Sequence, residues 1–181
     1  PKMASPRVFV LLTCLLLLQA PSSHAFFLWP PFFFPRPVPD VITVLNRANQ
    51  FTTLVQLLTQ TGVATTVNAI STNGAGPGIT LFAPTDAAFA KIPAATPNAL
   101  NVTQRTSILT LHALTRFYTY PELYFANAAL PTLNTGRSLT FRTSVTGVTI
   151  TSPGGTVTPL NFLLYRGFRL TIFPIADVLL P

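Results

Sequence analysis

Residues 79–89 read ITLFAPTDAAF, and their reading decides the fold. Ile79-Thr80-Leu81-Phe82 is a short apolar run of strand type, and Pro84, lacking a backbone N–H, breaks it. Thr85 or Asp86 then offers a side-chain oxygen to the free N–H groups of a helix opening at Ala87-Ala88-Phe89. The expected unit is a buried strand that turns directly into a capped helix. Upstream, residues 71–78 (STNGAGPG) form a loop by composition. Before that loop, Val41, Val44, Leu45 and Ala48 recur at helical spacing, and Phe51, Leu54, Val55 and Leu58 repeat the pattern. These predict two short amphipathic helices from Asp40 onward, the second ended by Gly62, with a further short turn of helix over 65–70.

Downstream, Pro93 and Pro97 punctuate the chain. Thr103 is a candidate cap for a helix running to about Leu114, with Ile108, Leu109 and His112 among its inner candidates. Residues 120–125 predict one more helical turn. After Leu130 the period becomes two: Leu139, Phe141 and Thr143 alternate with polar neighbours, as do Val148 and Ile150, and Gly154-Gly155 marks a turn. Residues 160–164 and 168–173 are further strand candidates. Helices come first and strands follow, an α+β order without internal repeats.

The chain outside this body reads differently. Lys2 and Arg7 give a positive region ahead of an apolar run at 8–18, and Ser23-His24-Ala25 places small residues where a signal peptidase cuts. Residues 1–25 are therefore expected to be a cleaved signal peptide. This eleven-residue run falls well short of the ~20 residues that span a bilayer. Residues 26–39, FFLWPPFFFPRPVP, are too rich in proline for a helix or central strand and read as an extended leader. Cys14, the single cysteine, lies in the signal, so the mature chain is expected to use neither disulfides nor thiol chemistry.

The composition is 49% hydrophobic and only 8% charged, against about a quarter charged in an ordinary globular domain. The formal charge of +7 becomes +5 once Lys2 and Arg7 are removed. The remaining bases are scattered, with no run of like charge. These bases read either as the ordinary solvated side chains of a basic secreted protein or, more sharply, as attraction to acidic polysaccharide or acidic glycans; nucleic acid would call for a basic stripe.

Two segments together resemble the signature boxes of the fasciclin-1 domain. Thr80-Leu81-Phe82-Ala83-Pro84-Thr85-Asp86-Ala87-Ala88-Phe89 is similar to the first box, and Ile175-Ala176-Asp177-Val178-Leu179-Leu180-Pro181 to the second. The family carries a Tyr-His pair on a helix between them. Here His112 matches the histidine, and Leu111 stands in place of the tyrosine. The resemblance covers residues 40–181. It implies an α+β fold, a β-wedge or sandwich with several helices packed against it. The small-residue run after Asp86 looks like plant fasciclin-like arabinogalactan proteins. That likeness implies a secreted cell-wall or cell-surface module that adheres through protein or polysaccharide contacts. Plant members often carry long Pro/Ala/Ser/Thr tracts; here Ala83-Pro84, Thr96-Pro97, Ser152-Pro153 and Thr158-Pro159 are isolated pairs, which do not predict dense glycan decoration. The sequence reaches Pro181 without a spacer and apolar tail, so no lipid-anchor signal is expected.

Chemistry-bearing residues are few. Asn101-Val102-Thr103 is a glycosylation sequon, making Asn101 a candidate acceptor. A lone His112 without cysteine does not compose a zinc site, and no cofactor is expected. Asp86 and Asp177 could be imagined as an acid/base pair, but their contexts at element ends favour capping of backbone N–H groups. Thr85, Asp86, His112 and Asp177 are accordingly read as fold-signature residues with structural roles. No nucleophile elbow or phosphate loop is present. An enzyme is not expected. The alternative is a secreted small-ligand binder or hydrolase using an apolar cleft, which would show as a pocket lined by His112 and an acid.

Overall fold

The computed structural model describes residues 39–73, 75–92, 100–160, 162–167 and 169–181. The expected signal peptide, and the leader apart from Pro39, lie outside the described residues.

Two segments define the centre of the fold. Strands β1 (Ile79–Pro84) and β8 (Leu170–Ile175) lie side by side in parallel, Ile79 opposite Leu170 and Pro84 opposite Ile175. Every residue of both is buried, the mark of strands covered on both faces. Alternation then sorts their side chains. Ile79, Leu81, Ala83, Leu170 and Ile172 face the helices, whereas Phe82, Phe173 and Ile175 face a second sheet. The first sheet has the order β2-β1-β8-β7, with β2 (Ala113–Leu114) and β7 (Tyr165–Arg166) at its edges.

The second sheet is an antiparallel meander of β3 (Ala129–Pro131), β4 (Ser138–Ser144), β5 (Gly147–Thr151) and β6 (Val157–Leu160). Leu139, Phe141, Val148, Ile150 and Leu160 turn inward from it, as the period of two predicts. Phe82 sits between the sheets, its ring 5.8 Å from Phe141 and 6.0 Å from Phe173. Such aromatic contacts add roughly 0.5–1.5 kcal/mol each beyond the burial itself.

Helices α1 (Val41–Arg47), α2 (Thr52–Thr61) and α3 (Val63–Thr72) cover the other face of the first sheet through Val41, Leu45, Leu54, Leu58 and Val67. Gly62 ends α2 and begins α3 at φ 73°, a conformation cheap only for glycine. The short α4 (Asp86–Ala90) follows β1 directly, and α5 (Val102–Leu111) adds Leu109 to the helical core. Helix α6 (Tyr120–Ala126) packs Leu123 into the core between the sheets. The architecture is α+β: helices, sheet, sheet.

Some local expectations are corrected. Residues 63–72 form a full helix, not one turn. The central helix ends at Leu111, because Ala113 and Leu114 pair with Leu81 and Thr80 of β1. Its cap is Asn101, not Thr103: Asn101 accepts from the Gln104 N–H at 2.8 Å while Gln104 reaches back to the Asn101 N–H at 3.0 Å. Near the C-terminus the strands are Val157–Leu160, Tyr165–Arg166 and Leu170–Ile175.

Candidate functional site

The two signature segments meet around His112. Its ring is buried, and its carbonyl at the end of α5 accepts from the Phe82 N–H of the first segment at 2.8 Å. Its Nδ1 lies 2.8 Å from the Ile108 carbonyl, and its Nε2 accepts from the Leu179 N–H of the second segment at 3.0 Å. A carbonyl can only accept and an N–H can only donate, so the ring is the neutral tautomer protonated on Nδ1. Burial pushes its pKa down to about 4, and the bond to Ile108 only partly opposes that shift. Both ring nitrogens are committed, which leaves none to act as a general base.

Two further links join the same segments. The Thr85 N–H donates to the Ile175 carbonyl at 3.2 Å. Lys91, at the end of α4, places its Nζ 2.6 Å from Asp177 Oδ1 and 2.9 Å from the Ala176 carbonyl. Thr85 also caps α4, its hydroxyl accepting from the Ala88 N–H at 3.3 Å. Asp86 does something the linear sequence does not show. Its carboxylate accepts from the Thr52 N–H at 3.1 Å, the Thr52 hydroxyl at 2.8 Å and the Thr53 N–H at 2.8 Å. It caps α2, whose own N-cap is Phe51 and has no side-chain oxygen. Burial pushes the Asp86 carboxyl up, but the Thr52 and Thr53 hydrogen bonds together outweigh it and hold the pKa below the ordinary aspartate value.

Asp86 and Asp177 therefore serve different partners and do not form an acid/base pair. Beside His112 lies an apolar cavity of about 30 Å³, walled by Leu57, Phe89, Ile92, Leu109 and Val178 with Arg105. Among the described residues no carboxylate lines it. Leu111, in the place of the family's tyrosine, is fully buried between the sheets, so neither member of this pair reaches the surface. Among the described residues no group of three His, Cys, Asp or Glu could hold a metal, and no helix is long and apolar enough to cross a membrane.

Side chains that do reach solvent went unread in the sequence. Tyr124 and Phe125 stand exposed at the end of α6, their rings packed edge to face 5.2 Å apart. Thr143 donates to the Tyr124 carbonyl, which brings that end of α6 to the β4–β5 hairpin, where Val145 is fully exposed at the tip. Asn101 is exposed too. Its Oδ1 is taken by the capping bond, and the glycan-accepting Nδ2 is a different atom.

A strand pair buried on both faces, clasped to the chain's second signature segment by a neutral histidine, defines a FAS1-type module. The fasciclin domain family model matches residues 49–181. The chain belongs to the fasciclin domain family. It is 32% identical over 148 residues to fasciclin-like arabinogalactan protein 6 of Arabidopsis thaliana, covering 78% of this chain and 60% of that protein. It is 32% identical over 148 residues to fasciclin-like arabinogalactan protein 12 of the same plant, covering 78% and 58%. The chain thus spans about three-fifths of the length of these relatives. A solved FAS1 domain pair from the insect cell adhesion molecule Fasciclin I has the same fold, with a TM-score of 0.58 at 18% identity, over 74% of this chain and 46% of that one. Helix α1 precedes the family match yet packs Val41, Val44 and Leu45 into the same core.

Proposed function

We propose that residues 40–181 are a secreted adhesion module that binds extracellular protein or polysaccharide in the cell wall or at the cell surface. The observation that carries this reading is the inward commitment of the signature residues. Thr85, Asp86, His112 and Asp177 all bond to the protein's own backbone or side chains, and so act as scaffold. Recognition then falls to the solvent-facing side chains the scaffold holds in place, such as Tyr124, Phe125 and Val145. Rigid aromatic side chains of this kind supply contact area at low entropic cost. Residues 1–25 act as the signal peptide, and Asn101, at an exposed helix start, carries an N-linked glycan. The arabinogalactan relatives and the insect adhesion molecule support the same reading by family. The alternative of a small-ligand binder or hydrolase asks for an acid beside His112, and among the described residues no acid lines the cavity there.

The test is retention of the purified secreted chain on an array of wall polysaccharides and matrix proteins. Saturable binding to at least one of them is expected. Absence of binding to every wall fraction would sink the adhesion reading.

A further inference from the structure

The chain has four side-chain carboxylates, and each is engaged within the fold. Asp40 accepts from the Ile42 N–H and from Asn68. Asp86 caps α2, Asp177 holds Lys91, and Glu122 accepts from the Thr119 N–H and hydroxyl at 2.6 and 2.7 Å. Over residues 40–181 there are eight basic and four acidic side chains, a formal charge of +4. Arg47, Arg116, Arg137, Arg142 and Arg166 are all exposed. Among the described residues the ion pair present is Lys91–Asp177, which involves none of these five. The acids are engaged by N–H groups, hydroxyls, Asn68 or Lys91 while these arginines face water, and the excess of four bases leaves the surface field positive on balance.

Two of these arginines belong to segments on one face of the first sheet. Thr80, Thr171 and Arg166 form a row across the first sheet, Thr80 opposite Thr171 and Thr171 opposite Arg166. Paired residues project to one face, so Arg166 shares the face of the two threonines. Over Thr80, at one end of this row, runs the segment carrying Arg116 and Tyr118, pinned by the Thr80 hydroxyl, which donates to the Arg116 carbonyl at 2.9 Å and accepts from the Tyr118 N–H at 2.8 Å. The Arg116 guanidinium stands 5.8 Å from the centre of the Tyr118 ring, a cation–π contact that orients it. Glu122 senses both arginines. Its bonds from Thr119 hold its pKa below the ordinary value, burial opposes them, and the charges of Arg116 and Arg166 add to the lowering.

We propose that Arg116 and Arg166 form a binding subsite for the carboxylates of an acidic polysaccharide. The proposal rests on the adhesion reading above and names its ligand class. Guanidinium groups match carboxylates through paired N–H donors, which a lysine ammonium does not reproduce. A polyuronate presents a carboxylate on every sugar ring, so one chain can meet both arginines at once. Arg166 lies on an edge strand, where a charge also blocks unwanted strand pairing. That role alone would make R166A self-associate without changing its affinity for a polymer.

The experiment measures retention of the secreted chain on immobilised polygalacturonate, with its fully methyl-esterified form as the uncharged partner. Expected are salt-sensitive binding to the acid form and none to the ester. R116A and R166A should each weaken binding about threefold, the scale of one partly exposed ion pair. E122Q, which keeps the helix start but removes the opposing charge, should strengthen it. Circular dichroism melts confirm that each variant is folded, and gel filtration reports self-association. Equal binding to acid and ester forms, unchanged affinity of the double arginine variant, or weaker binding by E122Q would each overturn the subsite. So would arginine-dependent binding to phosphatidylserine vesicles with none to polygalacturonate. If the chain binds a neutral polysaccharide or a matrix protein but not polygalacturonate, the subsite fails and the adhesion reading stands.

Discussion

His112→Gln is the substitution that isolates the clasp, because glutamine keeps a neutral polar group near Leu179 and cannot titrate. The native ring must stay neutral to accept from the Leu179 N–H, and its pKa lies near 4 when folded against 6.5 as an unperturbed group. The unfolded chain therefore takes up a proton at a pH where the folded chain refuses it. Stability contributed by the neutral ring is fully present above about pH 6.5, falls as pH drops through the window, and levels off below about pH 4. The gap of about 2.5 pH units at ~1.4 kcal/mol each amounts to about 3.5 kcal/mol, of which roughly 3 kcal/mol is lost by pH 4. In a chain of this size that is about 6–12 °C in Tm. The assay is urea unfolding followed by circular dichroism at pH 7, 6, 5 and 4 on both proteins. The native protein should lose roughly 3 kcal/mol more than H112Q across the series. H112Q should start about 1–3 kcal/mol lower at pH 7, since the glutamine fits the two bonds of the ring imperfectly. Asp86 and Glu122, whose pKa values are lowered on folding, lose their contributions as pH falls through the carboxylate range, in both proteins alike. Parallel stability curves for the two proteins between pH 6.5 and 4 would refute the assignment of a buried neutral histidine.

Asp86→Ala removes three acceptor contacts from the start of α2 and should cost about 1–2 kcal/mol, with Asp86→Asn recovering part of it, as read from chemical unfolding. Asn101→Ala removes the capping box and should cost about 1 kcal/mol even in unglycosylated protein, whereas Thr103→Ala spares the cap. If Asn101 carries a glycan, both variants of the secreted protein lose the same mass by mass spectrometry; an unchanged mass in both counts against glycosylation. Gly78→Ala should destabilise by about 1–3 kcal/mol, because φ there is +75° and an added Cβ would sit 2.8 Å from both the Arg169 carbonyl oxygen and Phe117 Cβ. Leu111→Tyr, which restores the family's residue, should lower stability by about 1–3 kcal/mol in a thermal melt, since the leucine is fully buried between the sheets.

The parts of this fold that could be read from sequence are those set by local periodicity. The apolar runs around residues 79–84 and 170–175 carry no polar alternation, and both strands are buried on two faces. Leu139, Phe141, Val148 and Ile150 alternate and face one core. Reading failed where a distant segment decides. The helical pattern through residues 113–114 yields to pairing with β1, because the Phe82 N–H claims the His112 carbonyl and ends the turn. Thr103 and Asn101 are both capping residue types, and Gln104 three residues after Asn101 settles the choice. The partner of Asp86 lies 34 residues back, at a helix whose own N-cap residue, Phe51, has no side-chain acceptor. The arginine pair is hidden more deeply still. It depends on the register of three strands and on one threonine hydroxyl holding down a loop. Family likeness thus falls on the residues that close the fold upon itself, which bond inward and leave little to bind with. The surface that distinguishes this chain must be sought where the signature boxes are silent: at arginines whose potential counter-charges are already engaged as helix caps or by Lys91.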